Sequence, residues 1–130
     1  MDRHPVELLI EKADTAITRE DFDTLMAIYA EDAVLVVKPG LEARGRAQIR
    51  KAFEAIADHF GHSLAVEQAG LVVLEAGDTA LVLARTVISA TTLPPTVRQA
   101  TYVFRRDPGA GWLCTIDNSY GHDLMIPEEG

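Results

Sequence analysis

Residues 112–125, WLCTIDNSYGHDLM, hold the densest set of side chains that could do acid–base chemistry. The segment starts as an apolar strand and ends in polar side chains around Asp117. A general base needs its carboxylate within reach of the substrate, with an orienting amide and a hydrogen-bond donor beside it. Asp117 could supply the carboxylate, Asn118 the amide, and Tyr102 or Arg98 the donor. The direction in which Asp117 points decides whether this set can form an active site.

The phase of the last two strands predicts which side chains share a face of the sheet. A turn at residues 107–111 sets Arg106 opposite Trp112, and cross-strand pairs then alternate between the two faces. One face carries the pairs Phe104 and Cys114, Tyr102 and Ile116, Ala100 and Asn118, and Arg98 and Tyr120. This face is mainly apolar and aromatic, so we expect it to meet the helices. Four polar groups then lie nearest any ligand pocket: Arg98, Tyr102, Asn118 and Tyr120.

In this register Asp117 falls on the opposite face of the sheet, beside Thr101. We expect its carboxylate to accept a hydrogen bond there from Thr101 or from a partner subunit, and a catalytic role is the alternative. A register shift of one residue would exchange the two faces, because successive side chains of a strand point to opposite sides.

Two aromatic residues and one cysteine complete the candidates for the pocket. Tyr29 and Trp112 are expected to be core residues, with ligand stacking as the alternative. Cys114 is the only cysteine and lies inside an apolar run, so we expect a buried and inert thiol. Ser119 has no histidine nearby other than His122, which argues against a serine nucleophile.

The sequence contains no recognisable motif for a metal or a nucleotide cofactor. His59, His62, Asp58 and His122 lack the spacing of zinc motifs, and we expect neither a metal nor a cofactor. Residues 40–46, GLEARGR, lack the P-loop and GxGxxG spacings. We expect a turn followed by a solvated basic face there, with an anion site at the start of the third helix as the alternative.

Hydrophobic spacing predicts three helices in the first half of the chain. Residues 5–18 form the first helix, and the second begins after the N-cap Asp21 and runs past Tyr29. A short buried strand, AVLVV at residues 33–37, comes next. Residues 46–60 form the third helix, with one apolar face.

The rest of the chain is predicted to be four strands joined by short turns. The strands are SLAVEQAGLVVLEA, TALVLARTVISATT, VRQATYVFRR and WLCTIDNSY, with turns at AGD, LPPT and DPGAG. This order predicts the α+β class, with three N-terminal helices packed on a strongly curved, mostly antiparallel sheet. Residues 1–130 fit a single domain.

The middle hairpin predicts a homodimer. A tight turn pairs Leu74 with Leu81 on one face and Val73 with Val82 on the other, so both faces of the hairpin are apolar. One face can cover the helices, and the other then needs a second copy of the sheet. The expected partner is therefore another copy of this chain.

Arg85 is the polar residue of this hairpin that needs a partner. It is predicted to lie opposite Gly70, and a buried arginine requires a carboxylate or a carbonyl group. Gln68, predicted opposite Val87, could share a buried polar spot with it. A pair at the dimer interface is the equal alternative.

Charge and hydropathy exclude several classes of partner. Twenty acidic and twelve basic residues give a net charge of −8 at pH 7. This charge repels phosphate backbones and anionic lipids, so neither nucleic acid nor membrane is an expected partner. The apolar runs are too short to span a bilayer, and the first residues do not form a signal peptide. We therefore expect a cytoplasmic protein.

Three segments follow one another in a characteristic order: DFDTLMAIYAEDAVLVVKPG, GRAQIRKAF and a closing GWLCTIDNSYG. Their order resembles the nuclear transport factor 2-like superfamily, especially its SnoaL-like and ketosteroid isomerase-like bacterial branch, over about residues 6–122. The resemblance implies a cone-shaped, cystatin-like α+β barrel with a pocket between helices and sheet, and usually a homodimer. It does not imply one activity, because this scaffold carries isomerases, dehydratases, polyketide cyclases and non-catalytic domains.

The ketosteroid isomerases of this superfamily use a tyrosine, an aspartate base and a protonated acid. The resemblance places these roles near Ala13, at Val37 or Lys38, and near Tyr102. No carboxylate stands at any of these positions, so the resemblance does not carry that proton-abstraction machinery over. Tyr102 could still donate a hydrogen bond.

These observations support three hypotheses for function. The first is a homodimer whose apolar pocket binds a small apolar or amphipathic organic ligand, without a catalytic set. The second is an enzyme of the isomerase, dehydratase or cyclase type, with Asp117 as general base and Tyr102 as hydrogen-bond donor. The third, from the resemblance to kinase-association domains, is a non-catalytic oligomerisation module.

Overall fold

The computed structural model describes residues 3–125, so residues 1–2 and 126–130 of the predicted domain lie outside the described part. The helices are α1 (Pro5–Arg19), α2 (Phe22–Met26) and α3 (Gly45–His59). The strands are β1 (Tyr29–Lys38), β2 (Leu41–Arg44), β3 (Ala65–Ala76), β4 (Thr79–Ala90), β5 (Leu93–Asp107) and β6 (Gly111–Asn118). A short 3₁₀ helix, Gly121–Met125, follows β6. The predicted α+β class is confirmed.

The first helix forms where the sequence predicts it. Pro5 begins α1, and the ring of His4 accepts a hydrogen bond from the backbone N–H of Val6 at 3.0 Å, which caps the helix. The helix ends at Glu20, whose left-handed conformation has a φ of 56°. The apolar stripe of α1 packs against β3, and α3 packs against β1.

The second helix is shorter than predicted. Asp21 caps it by accepting a hydrogen bond from the backbone N–H of Thr24 at 3.3 Å, and the helix ends at Met26. Tyr29 therefore begins β1, which is ten residues long, instead of lying in a helix. The reason is tertiary: Tyr29 lies opposite Cys114 of β6, so strand pairing satisfies the backbone that a further helical turn would have used.

The six strands of residues 3–125 form one sheet in the order β2-β1-β6-β5-β4-β3. The sheet is mixed, because β1 and β6 run parallel while the other neighbouring strands run antiparallel. Part of the segment predicted as a turn after residue 40 forms β2, which pairs with β1. The predicted LPPT turn is wrong: β5 begins at Leu93, and the turn lies at residues 91–92.

Two β-bulges decide which polar side chains face the helices, and the first lies in β3. The predicted pairs of the hairpin are confirmed as far as Gly70 and Arg85. Ala69 is then left without a partner, and Gln68 pairs with Thr86. The extra residue turns Gln68 toward the helices, because it reverses the alternation of the side chains.

The second bulge lies in β6 at Thr115. The predicted register holds as far as Cys114, but Tyr102 then pairs with Asp117 instead of Ile116. The extra residue moves every later side chain of β6 to the other face of the sheet. Asp117 consequently shares the inner face with Tyr102, and the prediction that it points outward is wrong.

Asn118 and Gly121 fix the end of β6. Asn118 Oδ1 accepts hydrogen bonds from the backbone N–H groups of Tyr120 and Gly121, each at 3.1 Å, and Asn118 Nδ2 donates to the Gly121 carbonyl at 3.3 Å. Gly121 has a φ of 56°, and a Cβ at this position would lie 2.1 Å from the carbonyl oxygen of Gln99. Only glycine allows the backbone to approach so closely.

The core lies between the helices and the inner face of the sheet. Its largest fully buried side chains are Leu25, Ile49, Val6 and Val82. Burial of such side chains stabilises the fold by about 25 cal/mol for each Å² of apolar surface. Within residues 3–125, no helix combines the length and the apolarity needed to cross a membrane.

Replacing Gly121 with alanine should destabilise the protein by about 2–4 kcal/mol, because the new Cβ meets the Gln99 carbonyl and alanine disfavours a positive φ. Urea unfolding followed by circular dichroism measures the change. Gly109→Ala is the matched control, since a Cβ at Gly109 makes only an ordinary contact of 3.6 Å with Asp107. Equal stability of the two variants would contradict the close approach at Gly121.

Candidate functional site

A cavity of about 200 Å³ lies between α1, α3 and the inner face of the sheet, and it is partly open to solvent. Most of its wall is apolar or aromatic, including Ile10, Ile17, Phe53, Ile56 and Phe104. An engineered apolar cavity of about 150 Å³ binds benzene. This cavity can therefore hold an organic molecule somewhat larger than one aromatic ring.

Asp117 lies in the cavity wall, next to the β6 bulge. The hydroxyl of Tyr29 donates a hydrogen bond to Asp117 Oδ2 at 2.5 Å. Burial raises the pKa of Asp117 to about 6, and the hydrogen bond from Tyr29 opposes that rise. Its other oxygen, Oδ1, accepts no hydrogen bond from the described residues. The carboxylate is therefore held by one oxygen and can face a ligand with the other.

Tyr29 is itself held from its backbone. The guanidinium of Arg46 donates two hydrogen bonds to the Tyr29 carbonyl oxygen, at 2.9 and 2.7 Å. The Tyr29 ring packs against Phe53, with the ring centroids 6.2 Å apart. Burial raises the pKa of Tyr29, so its hydroxyl remains a donor. Arg46 was predicted to face solvent, but it instead positions the residue that aims Asp117.

Asp14, on α1, is a second carboxyl in the cavity wall, and only 8% of the residue is exposed. Gln68 Nε2 donates a hydrogen bond to Asp14 Oδ2 at 2.9 Å. Burial raises the pKa of Asp14 to about 7; the bond from Gln68 opposes this rise, and the charge of Asp117 adds to it. Sequence reasoning missed Asp14. Its signal was an acidic residue on the apolar helical stripe that contains Ile10 and Ile17.

A chain of polar contacts links Asp14 to Tyr102 along the inner face of the sheet. Gln68 Nε2 also donates to the Thr86 hydroxyl at 3.1 Å, and the Thr86 and Tyr102 hydroxyls lie 3.3 Å apart. Burial raises the pKa of Tyr102 far above its ordinary value, so its hydroxyl stays protonated at neutral pH. The bulge in β3 makes this chain possible, because it turns Gln68 inward.

The structure places four of the six predicted ligand residues in the cavity wall: Tyr29, Arg98, Tyr102 and Tyr120. The guanidinium carbon of Arg98 lies 4.4 Å from the centroid of the Tyr120 ring. Arg98 and Tyr120 are thus neighbours, as predicted. They are neighbours although the bulge at Thr115 adds one residue to β6 after Cys114.

Asn118 and Trp112 lie outside the cavity wall, so neither is placed to contact a ligand there. The bulge in β6 moves Asn118 to the other face of the sheet, and its amide is used to cap the strand end. Trp112 packs under the guanidinium of Arg106, at 4.6 Å, and against the ring of His4, at 5.7 Å. Both side chains support the strand rather than the site.

Three further candidates occupy structural positions. Cys114 is buried and burial raises its pKa well above the usual value, in agreement with an inert thiol. His62 pairs with Glu20 at 2.9 Å, and residues 3–125 contain no group of three or more His, Cys, Asp or Glu that could hold a metal ion. Arg85 is exposed on the outer face of the sheet opposite Gly70, so it needs no buried partner.

The two cavity carboxyls can act as a base and an acid at neutral pH. Burial raises the pKa of Asp117 and the pKa of Asp14 toward neutrality, and the charge of Asp117 further disfavours ionisation of Asp14, so the two carboxyls titrate as a pair. Two coupled carboxyls that share one proton near neutral pH let one site supply a base and an acid together. The cavity can therefore accept a proton at β6 and donate one at α1.

The fold is that of the NTF2-like, cystatin-like class. An NTF2-like protein of unknown function from Pseudomonas putida matches it with a TM-score of 0.76 and 24% identity, over 86% of this chain and 80% of that chain. A cystatin-like protein of unknown function from Nostoc punctiforme gives 0.75 and 17%, over 90% and 92%. An NTF2-like protein from Streptomyces avermitilis, provisionally assigned as a dehydratase, gives 0.69 and 24%, over 87% and 91%. At these identities the likeness establishes the fold alone.

The sequence identifies the family more specifically than the likeness of fold does. The model of the SnoaL-like domain matches residues 6–115. The chain therefore belongs to the SnoaL-like domain family, as the order of its segments predicted. The match includes Asp14, Tyr29 and Tyr102, and it ends two residues before Asp117. No curated protein matches the chain significantly.

Asp14→Asn should make the folded state less sensitive to pH. The unfolded chain releases the Asp14 proton near pH 4, whereas the folded chain holds it until about pH 7, so wild-type stability falls as the pH rises through that window. The variant lacks this loss. Its free energy of unfolding relative to wild type should rise by roughly 4 kcal/mol between about pH 4 and pH 8.

Denaturant unfolding at a series of pH values measures this difference. Asp123→Asn, which removes an exposed carboxyl from the 3₁₀ helix, is the control and should follow wild type at every pH. If the stability of Asp14→Asn falls with pH as steeply as that of wild type, Asp14 does not carry the raised pKa.

Proposed function

We propose that the protein is an enzyme of the isomerase, dehydratase or cyclase type, which moves a proton on a small, mainly apolar organic molecule held in the cavity. Asp117 is the general base. One observation carries the proposal: a carboxyl with a pKa of about 6 stands in an apolar wall, aimed by a hydrogen bond from Tyr29. Such a base is mostly ionised at neutral pH and sits close to the pKa at which proton transfer is most efficient.

Asp14 and Tyr102 supply the complementary donors. When Asp117 removes a proton beside a carbonyl group, negative charge develops on the carbonyl oxygen, and donors in a water-poor cavity stabilise it. In a dehydration, Asp117 takes the C–H proton while the Asp14 proton goes to the hydroxyl group, which leaves as water. The provisional assignment of the Streptomyces avermitilis neighbour agrees with that reaction type, as an analogy of fold.

Ligand binding without turnover is the second candidate function. The apolar wall and the volume of about 200 Å³ support it, and it requires neither carboxyl to react. An oligomerisation module has less support, because it needs no cavity of this kind. Two buried carboxyls in such a module would lower the stability of the fold without a compensating role.

We also propose that the protein forms a homodimer through the outer face of the sheet. One apolar row crosses four neighbouring strands there, through Leu74, Leu81, Val103 and Ile116. In the next row Val72 is 55% exposed and Leu83 is 49% exposed. A continuous apolar surface of this kind is the sort that a two-fold partner covers, since the same patch meets itself across the axis.

Asp117→Asn should lower enzymatic proton exchange by about 10²- to 10⁴-fold, because the amide cannot accept the proton. The probe is phenylacetone in D₂O with the chain of residues 1–130, and proton NMR follows the loss of the C–H signal beside the carbonyl group of the probe. Asp123→Asn should exchange the probe at the wild-type rate. Exchange by wild type no faster than by buffer, or equal rates for Asp117→Asn and wild type, would overturn the proposed base.

Tyr29→Phe refines the same measurement, because it keeps the base and removes the hydrogen bond that lowers its pKa. The midpoint of the pH–rate profile should move to higher pH. Tyr120→Phe keeps the aromatic ring that faces Arg98 and should leave the midpoint unchanged.

Leu83→Glu should dissociate the proposed dimer, because it places a charge in the middle of the apolar outer face. Light scattering at micromolar concentration should give twice the chain mass of 14.2 kDa for wild type and the single mass for the variant. Leu8→Glu is the matched control, since Leu8 on α1 is equally exposed, at 50% against 49%. A monomeric wild type, or a ring larger than a dimer, would refute the proposed assembly.

A further inference from the structure

Arg98 is the one basic side chain among the described residues that line the cavity. It is half-buried on β5, opposite Thr86. Arg105 and Arg106 of the same strand each pair with an acidic side chain, whereas no acidic side chain of residues 3–125 pairs with Arg98. A half-buried cation without an anion is unfavourable in an apolar wall, so an outside anion would be bound there favourably.

The stack on Tyr120 orients the guanidinium for such an anion. Its central carbon lies over the Tyr120 ring, 4.4 Å from the ring centroid, so the ring contacts the guanidinium on one side. Within residues 3–125 its N–H groups donate no hydrogen bond, so they are available to an outside acceptor. Tyr120 is held in turn by the backbone hydrogen bond to Asn118 and by the close approach at Gly121. The residue that contacts the arginine is thus fixed through the backbone at the end of β6.

The two cavity carboxyls do not serve as the partner of Arg98. Asp14 accepts its hydrogen bond from Gln68 and Asp117 accepts its hydrogen bond from Tyr29, and neither carboxyl forms an ion pair with Arg98. The spacing along β5 agrees: Tyr102, which pairs with Asp117, lies four residues from Arg98. Four residues of a strand span roughly 13 Å. Arg98, which pairs with no acidic side chain of residues 3–125, and Asp117 therefore belong to cross-strand rows that lie four residues apart along β5.

We infer that the cavity takes an organic acid, whose carboxylate binds the edge of Arg98 and whose apolar body, of about one ring, reaches toward Asp117. The inference rests on the proposed use of this cavity as the ligand site, but it does not depend on turnover. A carboxylate fits the planar fork of an arginine through two parallel hydrogen bonds. Asp117 pairs with Tyr102, four residues along β5 from Arg98, so the two ends of the ligand contact different rows of the sheet.

Isothermal titration of the chain of residues 1–130 at pH 7.5 tests the inference with two probes of the same shape, 3-phenylpropanoate and its neutral amide, 3-phenylpropanamide. Wild type should bind the carboxylate about tenfold or more tightly than the amide, since a charge-assisted pair replaces a neutral one. Arg98→Gln should abolish this preference by weakening only the carboxylate. Arg98→Lys keeps the positive charge but lacks the planar pair of N–H donors of a guanidinium, so it should retain part of the preference.

Arg85→Gln is the matched control, because Arg85 is an exposed arginine on the outer face of the sheet, and it should bind both probes as wild type does. Thermal unfolding of each variant verifies that it is folded. Equal binding of the two probes by wild type would overturn the inference, as would binding of neither probe. Equal weakening of both probes by Arg98→Gln would also overturn it, because the arginine would then only support the wall.

The same probes separate this inference from the proposed enzyme. Asp117→Asn should keep the preference for the carboxylate, or increase it, since the substitution removes a negative charge from the cavity. If wild type binds the carboxylate preferentially but exchanges no protons on phenylacetone, the anion anchor stands and the enzymatic proposal fails. If proton exchange depends on Asp117 but the preference is absent, the enzymatic proposal stands and the anchor fails.

Discussion

The extra residue at Thr115 is the constraint on which the cavity depends. Without it, the carboxylate of Asp117 would point to the outer face, and the Tyr29 hydroxyl, on a residue that is only 3% exposed, would lose its acceptor. A buried hydroxyl without a partner costs about 1–3 kcal/mol. The bulge and the hydrogen bond therefore support each other. Arg46 holds the Tyr29 backbone, so this arrangement extends from α3 through β1 to β6.

The bulge in β3 positions the hydrogen-bond donor of the second cavity carboxyl, Asp14. It brings Gln68 inward, where one amide nitrogen serves both Asp14 and Thr86. Both bulges thus place polar groups in a wall that is otherwise apolar, and both occur where the sheet faces the helices. A sheet built only for stability would keep this face apolar, since desolvating two carboxyls is unfavourable. Strand irregularities that re-aim a side chain are typical of functional sites.

Much of the scaffold could be predicted from local patterns. Helical spacing located α1 and α3, and alternation located the hairpin register as far as Gly70, because both signals come from neighbouring residues. Local patterns failed at Tyr29 and at Thr115, where a distant strand decides the outcome. Strand β1 lies parallel beside β6, and this pairing turns a predicted helix end into a strand. Asp14 was missed because one acidic residue on an apolar helix stripe does not reveal from the sequence that a cavity lies beside it.

The sequence by itself determined the α+β class, the order of the elements, the apolar faces of the middle hairpin and the inert Cys114, because these follow from residue type and periodicity. It also brought Arg98, Tyr102 and Tyr120 together as candidates. Only the tertiary structure decided that Asp117 and Asp14 share one cavity. The physical reason is that a bulge inserts one residue into a repeat of two, and its position depends on the pairing of both neighbouring strands rather than on the strand's own sequence.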